Sequence, residues 1–521
     1  MAGTIFSIIP PIIAILMVIL TRRVLLSLGV GIISAALLIE EFSITGTGMV
    51  ILKAIQGVFY SDGEVNTWNV YIILFLLILG VVTALISISG GSRAFGEWAK
   101  KRVKTRAGAQ LTAALLGILI FIDDYFNALA VGQVSRPITD RQKVSRAKLA
   151  YIIDSTSAPV CVVSPVSSWG AYIIAMIATI LTTHGVSEYT PLGAFMVMIP
   201  MNYYVISALA LVFAVAVFNI NIGPMKIHEN RAIETGQVVD PTKEVLGEVK
   251  EDLPTSDKGT IGNLVWPIIS LIIGTVSSML YTGYSAIEDK ADVTIFTIFE
   301  NTDVSASLLY GGLFGLAITI ILFLAKGIKA SYLPLALKEG IKSMLPAIYI
   351  LLFAWVIVDL IGQLSTGEYL AGIVEKSNLD LSYLPVVMFV LAAFMAFATG
   401  TSWGTFGIML PIAGEITAAT DINMLLPAMA AVLAGSVLGD HCSPISDTTI
   451  LSSTGAGSHH IDHVMTQLPY AIIGGGIAAV GYLLLGLTGS SVIGFVSIIL
   501  LVGAFITIFA KKQKQVVKER A

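Results

Sequence analysis

The stretch GDHCSPISDTTI, Gly439 to Ile450, sets two carboxylates, an imidazole, a thiol and four hydroxyls side by side. Its surroundings are oil: the 521-residue chain is 56% hydrophobic and 12% charged, where a soluble protein carries about 25% charge. Apolar runs such as Thr4–Leu20, Val70–Ile88, Ala306–Ala325 and Val492–Ala510 approach the ~20 residues that cross a hydrocarbon core. The expected fold class is an all-α polytopic membrane protein. A polar block inside it is expensive, because one carboxylate at the bilayer centre costs roughly 2.5–3.5 kcal/mol on insertion scales. Such a group must face a cavity, a cation, a proton or another polar side chain.

Within the block, SPIS (Ser443–Ser446) has a counterpart in SPVS (Ser164–Ser167), and the flanks of both extend the match. A shift of 278 positions lays YIILF (Tyr71–Phe75) on YILLF (Tyr349–Phe353), Asp123–Asp124 on Thr401–Ser402, Tyr125 on Trp403 and Asn127 on Thr405. One more residue of shift aligns SPVS with SPIS. The chain therefore reads as two related halves. Each half holds a hairpin (about 107–135 and 383–420) followed by a helix broken by proline and hydroxyls (about 149–182 and 425–458).

Orientation follows from the basic clusters Arg22–Arg23, Arg93–Arg106, Arg136–Lys148, Lys326–Lys342 and Lys511–Arg520, which belong on the cytoplasmic side. Placing all of them inside gives eleven crossings and two re-entrant hairpins, an external N-terminus and a cytoplasmic C-terminus. The first span is retained rather than cleaved, since no basic residue precedes it and no small-residue cleavage site follows it. The second span returns to an acidic outer loop containing Glu40, Glu41, Asp62 and Glu64. The divisions are N-terminal spans (1–68), a first repeat (69–220), a polar cytoplasmic linker (221–260), connecting spans (261–342), a second repeat (343–487) and a last span with a basic tail (488–521). The linker reads as a connector, the alternative being a regulatory element. Because the third span runs inward and its partner outward, the repeats are inverted, an arrangement that puts substrate and ion sites at the breaks.

Asp123, Asp124, Asp154, Asp440 and Asp447 all fall at membrane depth in this scheme. Hard cations such as Na⁺ favour carboxylate, hydroxyl and carbonyl oxygens. The candidate ion or substrate ligands are those acids with Asn127, Ser164, Ser167, Ser168, Thr401, Ser402, Thr405, His441, Ser443, Ser446, Thr448 and Thr449. Asp440 and Asp447 come first, since a carboxylate that holds Na⁺ and then takes a proton couples the two by competition. His441 either relays protons or bonds a loop carbonyl. His459, His460, Asp462 and His463 look like a metal cluster, but the scheme puts them at the cytoplasmic mouth, where a solvated loop is the simpler reading. Trp169 and Trp403 read as packing.

Other classes fare worse. Cys161 and Cys442 make no disulfide framework, and no basic–aromatic patch argues for nucleic acid. GTSWG (Gly400–Gly404) matches the hydrolase pattern G-x-S-x-G, but it lies between apolar helical legs without a triad. No enzyme activity and no cofactor beyond transported Na⁺ and H⁺ are expected.

Through DHCSPISDTT (Asp440–Thr449), TSWGT (Thr401–Thr405) and IDDYFNAL (Ile122–Leu129), the chain resembles the NhaC-type sodium/proton antiporter family of the ion transporter superfamily. The likeness runs from about residue 70 to the end of the Val464–Leu485 span. It implies a scaffold with a transport domain, a homodimer, a bacterial plasma membrane as location, and ion sites where hairpin tips meet broken helices. Members of that family also exchange organic acids or carry amino acids. The expected activity is exchange of cytoplasmic Na⁺ for external H⁺, the alternative being Na⁺-coupled symport or exchange of an amino acid or small organic acid.

Overall fold

The computed structural model describes residues 1–521 except 22, 62, 122, 166, 244, 246–253, 288–292, 367, 370–371, 373–379 and 521. The N-terminal part contains α1 (Ile9–Thr21), α2 (Val24–Ile39), α3 (Ile44–Phe59) and α4 (Thr67–Ile88). A two-residue antiparallel ladder, Tyr60 opposite Val65 and Ser61 opposite Glu64, joins the last two. Next come α5 (Gly91–Arg102), α6 (Arg106–Leu119), α7 (Asp124–Arg141), α8 (Arg146–Cys161), α9 (Ser168–Thr183), α10 (Pro191–Met198), α11 (Tyr203–Phe218) and α12 (Pro224–Thr235). The middle carries α13 (Gly262–Ala286), α14 (Ile295–Glu300), α15 (Val304–Ala325) and α16 (Leu333–Gln363). The chain closes with α17 (Leu384–Thr399), α18 (Ser402–Ala419), α19 (Leu425–Cys442), α20 (Asp447–Ala456), α21 (His460–Thr488) and α22 (Ser491–Arg520).

The protein is an almost entirely helical, multi-pass membrane protein. Among the described residues eight helices are long and apolar enough to cross a bilayer unaided, and nine if Pro191–Met201 and Tyr203–Phe218, bent by 50°, count as one span. Other apolar helices, such as Val24–Ile39, are shorter than that.

The breaks have local causes. Hydroxyl and carboxyl side chains cap the helices that restart after them: Asp123 accepts the Phe126 N–H at 2.9 Å, Ser167 that of Gly170 at 2.9 Å and Ser446 that of Thr449 at 3.3 Å. Pro165 and Pro444 lie inside the two gaps, while Pro159 sits within the last turn of α8. At the other hairpin Gly400 turns the chain at φ +71°, a left-handed conformation that glycine adopts without strain. A Cβ there would also stand 2.7 Å from the Ile445 side chain, so glycine lets the hairpin tip touch the facing break.

The α6–α7 pair is a closed hairpin. Asn127 Nδ2 ties its turn to the carbonyls of Gly117 at 2.6 Å and Ile120 at 2.7 Å. Its feet meet where Arg106 Nη1 donates to Lys143 O at 2.5 Å and Gln142 Nε2 to Val103 O at 2.6 Å. The 278-residue shift carries Asp124, first residue of α7, onto Ser402, first residue of α18. With one added residue it carries Ser168, at the start of α9, onto Asp447, at the start of α20.

Parts of three basic clusters meet: Ile88, Ser256, Lys258 and Lys329 line one cavity, and ion pairs tie the neighbouring segments together. Arg93 pairs with Asp257 at 2.8 Å, Arg141 with Glu97, and Arg146 with Asp140 at 3.2 Å while reaching Gly457 O at 3.3 Å. A cavity of about 550 Å³ is lined by His184, Glu188, Asp421 and Ser491 among others.

Three readings change. Ile44–Phe59 is a helix rather than open loop, flanked by Glu40, Glu41 and Glu64. The linker's α12 is more than a connector, since it buries Glu229 completely against Arg106 and Lys148. The histidine-rich segment is not a solvated loop: it starts α21, with His460, Asp462 and His463 buried, because each finds a partner inside.

Candidate functional site

Four helix starts and one helix end converge between the halves. Asp124 opens α7, and its Oδ1 accepts the indole N–H of Trp169, second residue of α9, at 2.8 Å. Ser157 Oγ donates to the Asp124 carbonyl at 2.7 Å, tying α8 to the same turn. The next residue, Tyr125, donates its hydroxyl to Oδ2 of Asp447, which opens α20. The Asp447 Oδ1 accepts the Thr448 N–H at 2.9 Å. From the second hairpin, Ser402 Oγ donates to Asp440 Oδ2 at 2.8 Å near the end of α19. Anions at helix starts gain from the exposed N–H groups and the dipole there, which helps to hold Asp124 and Asp447 in an apolar bundle; Asp440, in a last turn, has no such help.

Asp123, Asp440 and Asp447 all act electrostatically on Asp124, so four acids share one neighbourhood. Asp123, Asp124 and Asp440 are each at most 3% exposed. Three acceptor atoms in this neighbourhood, Asp124 Oδ2, Asp440 Oδ1 and Asn127 Oδ1, are buried with no hydrogen-bond partner among the described residues. An unsatisfied buried polar atom carries the full penalty of its desolvation. A bound cation or a proton would remove that penalty.

Asp154 sits in a second cluster, where its own carboxylate is fully engaged although His463 Nδ1 and Gln467 Oε1 have no partner among the described residues. Its carboxylate accepts from Gln467 Nε2 at 2.5 Å, His463 Nε2 at 3.1 Å and Ser452 Oγ at 3.1 Å, with Thr449 Oγ1 at 3.5 Å. His441 Nε2 points at the Asp154 carbonyl at 3.1 Å, and a carbonyl only accepts, so that nitrogen carries a proton. Its Nδ1 meets the Tyr204 hydroxyl at 3.0 Å. Gln467 Nε2 also donates to the His441 carbonyl at 2.8 Å. The two clusters adjoin through Thr449, equally 3.5 Å from Asp154 Oδ2 and from the Asp440 carbonyl.

Of the residues singled out by sequence, the structure brings Asp123, Asp124, Ser402, Asp440, Ser446, Asp447 and Thr448 together and sets Asp154, His441 and Thr449 beside them. Others turn to nearby carbonyls: Ser164 to Val160, Ser167 to Cys161, Ser443 to Phe397, and Thr405 to Thr401. Thr401 occupies the cap position of α18. The backbone of Ser168 opens α9, but its side chain lies outside the described residues.

Tyr125, Ser452, His463 and Gln467 join the site without having been singled out as ligands, and Trp169 binds an acid besides packing against Trp403 and Phe406. His463 and Gln467 stand four residues apart, the spacing of one helix face, so two polar groups on the inner face of an apolar helix were the available signal.

The sequence matches the Na⁺/H⁺ antiporter family over residues 160–487. Over 517 residues, 98% of this chain and 96% of the relative, it is 48% identical to an uncharacterized protein of Haemophilus influenzae. It is 34% identical to an uncharacterized Na⁺/H⁺ antiporter of the same organism over 144 residues, 26% of this chain and 30% of that one. Over 205 residues, 37% of this chain and 40% of the relative, it is 29% identical to a malate-2H⁺/Na⁺-lactate antiporter of Bacillus subtilis. With a match that spans both broken-helix gaps and reaches from Val160 to the last turn of α21, the chain belongs to the Na⁺/H⁺ antiporter family and is a secondary transporter.

Proposed function

We propose that the protein exchanges cytoplasmic Na⁺ for external H⁺, with Asp124, Asp440 and Asp447 holding the ion. The observation that carries this reading is the pair of buried, unpartnered carboxylate oxygens, Asp124 Oδ2 and Asp440 Oδ1, one from each half. Hard-cation chemistry fits them, and so does a proton. A carboxylate that binds one cannot bind the other, and this exclusion makes the two fluxes obligatory partners. Asp123 and the hydroxyls of Ser402 and Ser446 supply further oxygens. The tendency of Lys and Arg clusters to stay inside supports an external N-terminus and a cytoplasmic C-terminus, and a homodimer is the assembly we propose.

The test is reconstitution in proteoliposomes with an imposed Na⁺ gradient, reading internal pH. Wild-type protein is expected to move protons with no organic solute present. Asp440→Asn and Asp447→Asn are each expected to abolish that response while the purified protein remains folded; wild-type flux in both removes the site assignment.

A second reading, Na⁺-coupled exchange of a small carboxylate, is favoured by the likeness to the Bacillus subtilis malate-2H⁺/Na⁺-lactate antiporter. Na⁺ movement that appears only when a carboxylate or amino acid is added, without a pH response in its absence, selects that reading.

A further inference from the structure

The acids of the site are not held alike. Asp124 and Asp440 each use one oxygen, bonded to Trp169 and Ser402, and leave the other unpartnered. Asp447 uses both: Oδ1 takes the Thr448 N–H of its own helix and Oδ2 takes the phenol of Tyr125. The backbone donor belongs to α20 and travels with the carboxylate, whereas the phenol comes from the first turn of the opposing hairpin, 322 residues away in sequence. Tyr125 is 9% exposed, and its ring belongs to the apolar core that also holds Phe126, Leu129 and Ile450. The ring is thus fixed by packing while its hydroxyl reaches the acid.

We propose that Tyr125 is a positioning and affinity-setting residue: its hydroxyl competes with the transported cation for Asp447. This rests on the reading of Asp447 as part of the cation site. A phenolic O–H aimed at a carboxylate oxygen presents positive charge along the line a cation would use. With the cation away, the bond satisfies the acid without a proton. Cation binding at Oδ2 requires that bond to break or its hydrogen to turn away, so the free energy of the bond is subtracted from the affinity for the ion. The same bond re-forms as the ion leaves, which assists release. Phenylalanine keeps the ring and its packing and removes the competitor.

A hydrogen bond to a charged group is strong enough to shift an equilibrium about tenfold or more. In proteoliposomes with labelled Na⁺, Tyr125→Phe is expected to lower the apparent KM for Na⁺ about tenfold and to lower the maximal rate as well, because release slows. A merely structural role would reduce the rate or the amount of folded protein without tightening KM. An unchanged KM overturns the proposal, and so does a raised one, which would make the hydroxyl a ligand of the ion. Should the variant not transport, Na⁺ titration of the detergent-purified protein by calorimetry gives the same comparison of Kd. Should it not fold, the ultraviolet difference spectrum of wild type on Na⁺ addition decides: a shift of a carboxylate-bonded tyrosine supports the proposal, and its absence overturns it. Wild-type protein that neither binds nor moves Na⁺ overturns the Na⁺ reading itself, and this inference with it.

Discussion

Glu229 lies on α12, outside the membrane-spanning segments, with both oxygens engaged. Oε2 faces Arg106 Nη2 at 2.5 Å and Lys148 Nζ at 3.3 Å, while Oε1 accepts the Ser145 N–H at 2.8 Å. Burial alone would raise its pKa, but Lys148 and Arg106 outweigh burial and hold it below the usual carboxylate range. A depressed folded-state value means that its contribution is present at and above that usual range and is lost as pH falls through the lowered value. Glu229→Gln leaves Lys148 buried among neutral acceptors, Asn219 and Asn221 at 2.9 and 2.8 Å, with its carboxylate countercharge gone. The expected loss is about 3–5 kcal/mol, checked by thermal unfolding in detergent, and the variant should lose less stability than wild type on acidification. Nothing in the linker's composition foretold a buried ion pair, because Glu229 sits in a run of ordinary polar residues. Tyr125 was equally hidden: an aromatic in an apolar helix looks like core, and its acid is hundreds of residues away.

The hairpins and broken helices were legible because their chemistry is local: glycine at a left-handed turn, proline and hydroxyls in the gaps, carboxylates and serines as caps. Their mutual fit was not, since it depends on small residues that occur throughout the chain. At the crossing of α7 and α20 a Cβ on Gly132 would lie 2.3 Å from the Gly455 carbonyl, and one on Gly455 would lie 2.2 Å from the Ala128 carbonyl. Backbone rests on backbone there, which sets how near Tyr125 comes to Asp447. Gly455→Ala is expected to force the two helices apart at a cost of about 1–3 kcal/mol and to lower transport at least tenfold with unchanged far-ultraviolet helicity. Transport at the wild-type rate would show that the crossing does not position the site.

Across the molecule, composition sufficed for the helical membrane class. It did not reveal α3, whose 16 residues are too few for a span by the length rule. The proposed orientation has a direct check in a background lacking Cys161 and Cys442. A cysteine at exposed Gln237, just past α12, should react with an impermeant maleimide only from the cytoplasm, and one at exposed Ser187, beyond α9, only from outside; the reverse pattern would invert the scheme. The cavity that opens on the Ser187 side has a consequence for hydration. Its volume of about 550 Å³ is far above the ~10–15 Å³ that admits one water molecule, and Glu188 and Asp421 line it, so an ion there still wears its water shell. Asp440 lies 15 residues further along α19 from the cavity's Leu425, about 22 Å at 1.5 Å per residue. In the proposed exchange, a cation that enters from this cavity keeps its water shell there and sheds it only on the way to Asp440.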